Sequence, residues 1–245
     1  QTKSLSTPHL SALGETQTGP LTTTQIASLS TAQVGALNAT DIGELDATQI
    51  GALTATQLSR LTTEAVVALD ATQLGGLNTT QLQSFVTTQM GALGAGDVAE
   101  FNETQIAQLT ATQVRSLTAT AVGALADTQV AALTTAQVQS LSTTSLADLT
   151  TTQVAALTTT QVRSISVAQI SALATGDIQE FTTDQIAALT VTQLGAFNST
   201  TRDMATLDLK GRAAGTALLE ISGALNPTAQ PLALDIKAKA TDLEL

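Results

Sequence analysis

Between positions 21 and 197 every eighth residue is a large apolar side chain. The series runs Leu21, Leu29, Leu37, Leu45, Leu53, Leu61, Leu69, Leu77, Phe85, Leu93, Phe101 and Leu109. It continues through Leu117, Leu125, Leu133, Leu141, Leu149, Leu157, Ile165, Leu173, Phe181, Leu189 and Phe197, with no step missed. Leu5 and Leu13 extend the register backwards across Pro8 and Pro20. A second apolar residue follows each anchor by five positions, from Ile26 to Leu194, and is first replaced by a polar one at Arg202. The unit reads L-T-x-T-Q-V-x-A. An internal repeat this regular decides the fold before any other reading.

The spacing excludes two simple architectures. Apolar residues separated alternately by five and three do not follow the period of two that a half-buried strand needs. In one continuous helix, eight residues advance by about 800°, so the apolar stripe would drift by about 80° per repeat and face nothing. Each octad must therefore be its own short element with a break in every copy.

The residue after the anchor identifies that break. It is Thr22, Ser30, Asn38, Asp46, Thr54, Thr62, Asp70 or Asn78, and later Asn102, Thr110, Ser142 or Asn198. These four residue types share a short side-chain oxygen that accepts from an exposed N–H at a helix start. Val86, Gly94, Ala126 and Ala174 are the exceptions. Three residues further on Gln dominates (Gln25, Gln33, Gln49, Gln57, Gln73, Gln81), which completes a capping box. The anchor and the second apolar residue then occupy the two positions of a hydrophobic staple.

The fold expected is mainly α: a solenoid of N-capped helices of one and a half turns, about 8–9 Å long, kinked at every anchor. One octad gains ~3–6 kcal/mol from its two large side chains, against ~12 kcal/mol for ordering eight residues. Successive turns must therefore stack. The small residue before each anchor would let coils approach closely. A β-solenoid is the rival reading, since Thr and Val favour strands. Gln, Ala and the N-cap alphabet favour helix.

The expected domains are 1–20, degenerate repeats or a cap; 21–204, the octad solenoid; and 205–245, an incomplete antiparallel β segment. In the last, Leu207 and Leu209, Leu219 and Ile221, and Leu232, Leu234 and Ile236 alternate with polar or small residues, punctuated by Gly211 and Asn226-Pro227. Four of the nine basic residues, Lys210, Arg212, Lys237 and Lys239, fall there. Three strands are marginal alone, so they pack on the solenoid end or continue in a longer chain. Gln1-Thr2-Lys3-Ser4 carries neither Met nor a signal-peptide core, and the chain reads as a piece of something longer.

Composition bounds the function. A net charge of −11 argues against nucleic acid and anionic membrane surfaces. There is no cysteine, hence no disulfide or thiolate metal site. No stretch reaches the ~18 apolar residues of a membrane span. Aromatics are 2%, so the core is Leu, Ile, Val and Ala.

No catalytic constellation or cofactor motif emerges. His9, the single histidine, has no ligand or triad partner at suitable spacing, and no phosphate-binding glycine loop occurs. Three acidic pairs, Asp41 with Glu44, Asp97 with Glu100 and Asp177 with Glu180, are the only candidate metal ligands. On a helix each pair shares a face, and the functional reading is a hard cation such as calcium. The competing reading, which is preferred, is an acid held by the helix N-terminus plus a solvated Glu. Thr-x-Thr spacing, as at Thr54-Ala55-Thr56, suggests ice binding, but Asn38, Asp46 and Asn78 interrupt the Thr face.

Two resemblances follow. Octads such as Leu149-Thr150-Thr151-Thr152-Gln153-Val154-Ala155-Ala156 are similar to the octapeptide arrays of large acidic bacterial surface or secreted, adhesin-like proteins. The tail, with Leu219-Glu220-Ile221-Ser222-Gly223-Ala224-Leu225-Asn226-Pro227, Pro231-Leu232-Ala233-Leu234-Asp235-Ile236 and Asp242-Leu243-Glu244-Leu245, resembles AsmA-like envelope proteins. The first implies a non-enzymatic spacer or adhesive stalk with a protein or cell-surface partner. The second implies a part in lipid transport or outer-membrane maintenance. Both imply the exterior or envelope of a Gram-negative bacterium. Exposed strand edges in the tail make self-association an expectation.

Overall fold

A computed structural model describes residue 6, residues 14–196 and the backbone of residues 206–212, 218–226 and 233–241. His9, residues 1–4, the end of the octads at 198–204 and the tail side chains lie outside the described residues. The described part contains 23 helices of four to six residues, one per octad from Thr23 onward. The fold is mainly α, as the capping pattern predicts.

The break between helices is two consecutive extended residues. At the junction of Glu103–Gln108 and Ala111–Ser116, Leu109 has φ −58°, ψ 144° and Thr110 has φ −71°, ψ 154°. The Thr110 hydroxyl accepts the Gln113 N–H at 3.2 Å, while Gln113 Oε1 accepts the Thr110 N–H at 2.9 Å. Both halves of the capping box are present. Where the N-cap has no side-chain oxygen, at Val86, Gly94, Ala126 and Ala174, its N–H still donates to the side chain three residues on.

Burial repeats with the octad. Leu109, Gln113 and Val114 are buried, while Thr110, Thr112 and Arg115 are exposed. Anchors and second apolar positions from Ile26 to Leu173 form the core. A small void of about 10 Å³ beside Leu29, Leu37 and Leu45 is large enough for one water at most.

The chain divides into two units, 1–148 and 149–245. In the first, helices three octads apart touch: Ala39–Gly43 with Thr63–Val67, and Ala111–Ser116 with Thr135–Ser140. Close approach falls at the residue two before the anchor. A Cβ on Gly35 would lie 3.0 Å from the Arg60 carbonyl oxygen, and one on Gly91 would lie 3.2 Å from that of Ser116. In the second unit, Thr159–Ser164 touches Thr183–Ala188, and Val167–Ser171 touches Val191–Ala196. Beyond the helices of this unit the backbone runs as β1 (Thr206–Arg212), β2 (Leu218–Asn226) and β3 (Ala233–Thr241), paired antiparallel in that order. The register sets Leu209 opposite Ile221 and Glu220 opposite Lys239.

Candidate functional site

The most repeated chemistry among the described residues is the buried glutamine at the third position of most helices. Its Oε1 is occupied by the capping box, which leaves Nε2 free to donate elsewhere. In the first unit that amide reaches back to the preceding coil. Gln73 Nε2 donates to the Ile42 and Leu45 carbonyls at 3.0 and 2.7 Å. Gln113 does so to Leu82 and Phe85 at 2.8 and 3.0 Å, and Gln137 to Ile106 and Leu109, both at 2.7 Å. The second unit repeats the device, with Gln185 donating to Val154 and Leu157 at 2.7 Å.

The carbonyls reached lie at a helix C-terminus and in the extended link after it, where backbone acceptors lack intrahelical donors. Each such Gln therefore satisfies an N-cap donor of its own helix and link acceptors one coil away. The partners sit 28 and 31 residues back, so a coil takes between three and four octads. The arrangement parallels an α-helix, with octads in place of residues and side-chain amides in place of backbone N–H groups.

The sequence reading found the first role of this glutamine and missed the second. A signal for it was present. A capping box accepts Glu as readily as Gln, yet the box position is never Glu in any octad from 21 to 196. Of the two, only the amide both accepts at the cap and donates to a carbonyl.

The acidic pairs sit where the octads depart from this rule. Asp41, Asp97 and Asp177 replace the box Gln, and each accepts the N-cap N–H of its own helix, at 2.8, 2.7 and 2.7 Å. Glu44, Glu100 and Glu180 are the C-cap residues of the same helices. Asp and Glu are thus assigned to opposite ends of one helix. The Thr151 hydroxyl donates to Glu180 Oε1 at 3.1 Å. Oε2 of Glu44 and of Glu100 are buried without a hydrogen-bond partner among the described residues. Burial, and then the charges of Asp97 and Asp70, push the Glu100 carboxyl up from its ordinary value. The Glu64 and Glu103 carboxyls go the other way, each held down first by its own backbone N–H, then by Thr63 and Thr62 for Glu64 and by Thr128 for Glu103. Among the described residues no group of three or more acidic or histidine side chains is placed to hold a metal ion.

One open groove of about 450 Å³ runs between successive coils, lined among others by Thr112, Arg115, Gln139, Ser140 and Ser142. It gathers a guanidinium, an amide and hydroxyls, but no carboxylate, imidazole or thiol. Among the described residues no helix is long and apolar enough to cross a membrane.

No curated protein matches the chain. Residues 130–167 match the ALTTAQ repeat family. Within that stretch Ala132-Leu133-Thr134-Thr135-Ala136-Gln137 spells the family motif in full. Its terminal Gln137 is one of the buried glutamines that tie coil to coil, so this stretch is similar to ALTTAQ repeats at the residue on which the stacking depends.

Proposed function

We propose that this protein is a non-enzymatic repeat scaffold, a spacer or adhesive stalk displayed at a bacterial surface or secreted. The observation that carries the reading is the glutamine clamp. The same buried amide recurs in octad after octad, so what the sequence repeats is the means of stacking and not any one local site. What it leaves outside is a surface of Thr, Ser and Ala with few charges, most of them acidic. Such a surface suits length, spacing and broad, weak contact with a protein or cell-surface partner.

The test is excision of residues 69–124, seven whole octads, which joins Ala68 to Leu125 in register. A spacer keeps its helical circular dichroism per residue and its cooperative melt, and loses hydrodynamic size in proportion. Collapse of the melt would sink the reading, as would turnover in a broad hydrolase screen of the full chain. Antibody labelling of intact source cells tests the surface location.

A second reading is supported by the tail. Three antiparallel strands with the AsmA-like sequence suit an envelope protein that carries the octads as an insertion and works in lipid transport or outer-membrane maintenance. Fluorescent phospholipid transfer between vesicles separates the two. A scaffold leaves the transfer rate at its protein-free value.

A further inference from the structure

We propose that the first unit contains a compliant seam, one line along the coil where successive turns are held by packing without amide clamps, and where the coil opens first. The inference takes its purpose from the scaffold reading, but its test does not depend on that reading.

The seam is written in the sequence. Five octads of this unit lack the box glutamine and carry Asp41, Ala65, Asp97, Ala121 or Ser145 instead. Their spacing is 24, 32, 24 and 24 residues, three or four octads each time. That is the spacing at which coils meet, since helices touch at three octads and clamps reach back 28 and 31 residues. At the 24-residue steps the gaps stack helix on helix, and across the 32-residue step Asp97 stands 28 and 31 residues after Leu69 and Val66, the spacing of a clamp. Thr63–Val67 lies against Ala39–Gly43, and Ala119–Gly123 lies against both Ala95–Ala99 and Thr143–Ala147.

None of the later four replacements restores the clamp. The Ala65 and Ala121 methyls have nothing to donate. The Asp97 carboxylate accepts from Gly94 at its own cap, and the Ser145 hydroxyl is held by Ser142 at 2.7 Å. The link carbonyls 28 residues earlier, at Leu37, Leu69, Leu93 and Leu117, consequently face a side chain without an amide. The clamped octads next to them in the chain tie the corresponding carbonyls of Leu29, Leu61 and Phe85 to Gln57, Gln89 and Gln113. An acceptor inside a packed interface needs a donor or water. The seam is where water enters at least cost, and an array clamped on its other sides yields along that line.

The molecule contains its own controlled comparison. Val66 and Val122, each next to an alanine at the box position, and Val114 and Val138, each next to a clamping glutamine, donate their N–H to an N-cap carbonyl at 3.0 Å, and each is 0–1% exposed. The local bond is the same, so a difference in exchange reports opening of the coil. Amide hydrogen exchange of the full chain, resolved by NMR, is expected to run about tenfold faster at Val66 and Val122 than at Val114 and Val138. Ala121→Gln is expected to bring Val122 to the clamped rate, and Gln113→Ala to bring Val114 to the seam rate. Equal rates at the four valines in a helical chain would overturn the seam and leave the scaffold standing. So would a folded Ala121→Gln chain with no slowing at Val122. If Gln113→Ala fails to fold, the unsubstituted chain and Ala121→Gln still decide. A chain without helical circular dichroism would overturn the scaffold reading together with the seam.

Discussion

Two adjacent octads, 109–116 and 117–124, are identical in their first four residues and differ at three positions, of which only one, Gln113 against Ala121, is buried. Both begin with a buried anchor, Leu109 or Leu117, and both cap with Thr. Both bury a Val, at 114 and 122. One has Gln113 and the other Ala121. Both are helical, and in both the Thr hydroxyl accepts the N–H three residues on, at 3.2 and 3.1 Å. Cap and anchor therefore suffice to form the helix. The glutamine adds acceptance of the Thr110 N–H and two bonds to the coil before. Local structure and stacking are encoded at different positions of the same eight residues.

The largest test of that separation is at Gln113. Gln113→Ala removes the amide and leaves the Leu82 and Phe85 carbonyls without their donor, at a cost of about 3–4 kcal/mol in urea denaturation. Gln113→Glu keeps the cap acceptor but sets a carboxylate against two carbonyls. It is expected to cost as much at neutral pH and to recover part of the loss in acid, where the protonated group donates again. Equal stability of Gln113→Glu and the parent at pH 7 would show that the clamp contributes nothing.

Next come the cores. Leu82→Ala, on the clamped side, and Leu146→Ala, on the seam, are each expected to cost about 3 kcal/mol, because both side chains are buried to 3% exposure or less. A much smaller cost at Leu146 would mean that the seam is loosely packed and not merely unclamped. The caps come third. Thr110→Ala and Thr118→Ala are each expected to cost about 1 kcal/mol, and unequal losses would show that clamp and cap are coupled.

The smallest effect is at Glu100. Its carboxyl binds a proton more tightly in the folded chain than in the unfolded one. The stability it contributes is therefore complete below the unfolded carboxyl range and lost as pH rises through its raised value. Glu100→Gln is expected to melt slightly higher than the parent at pH 7 and equally at pH 3. Glu64 and Glu103 have the opposite sign, since their lowered carboxyls contribute above the ordinary range and lose that contribution in acid. A Glu100→Gln chain that melts lower at pH 7 would mean that the carboxylate holds its neighbours in place.

Much of this was legible in the residues. The five-then-three spacing excluded strands and a long helix, and the Thr, Ser, Asn and Asp alphabet marked each N-cap, because capping is local and needs only neighbouring atoms. The acidic pairs were legible as positions on a helix but not as a site. Asp97 is engaged by the Gly94 N–H three residues away, while the surroundings of Glu100 depend on Asp70, which a different coil supplies.

The sequence by itself determined that the octads would be capped helices with Leu, Ile and Val inside, since cap, box and anchor act within eight residues. Only the tertiary structure decided what the glutamine amide does, because its acceptors lie 28 and 31 residues away. The coil period brings them into reach, and that period is set by packing between turns. The same period turns five scattered substitutions into one line.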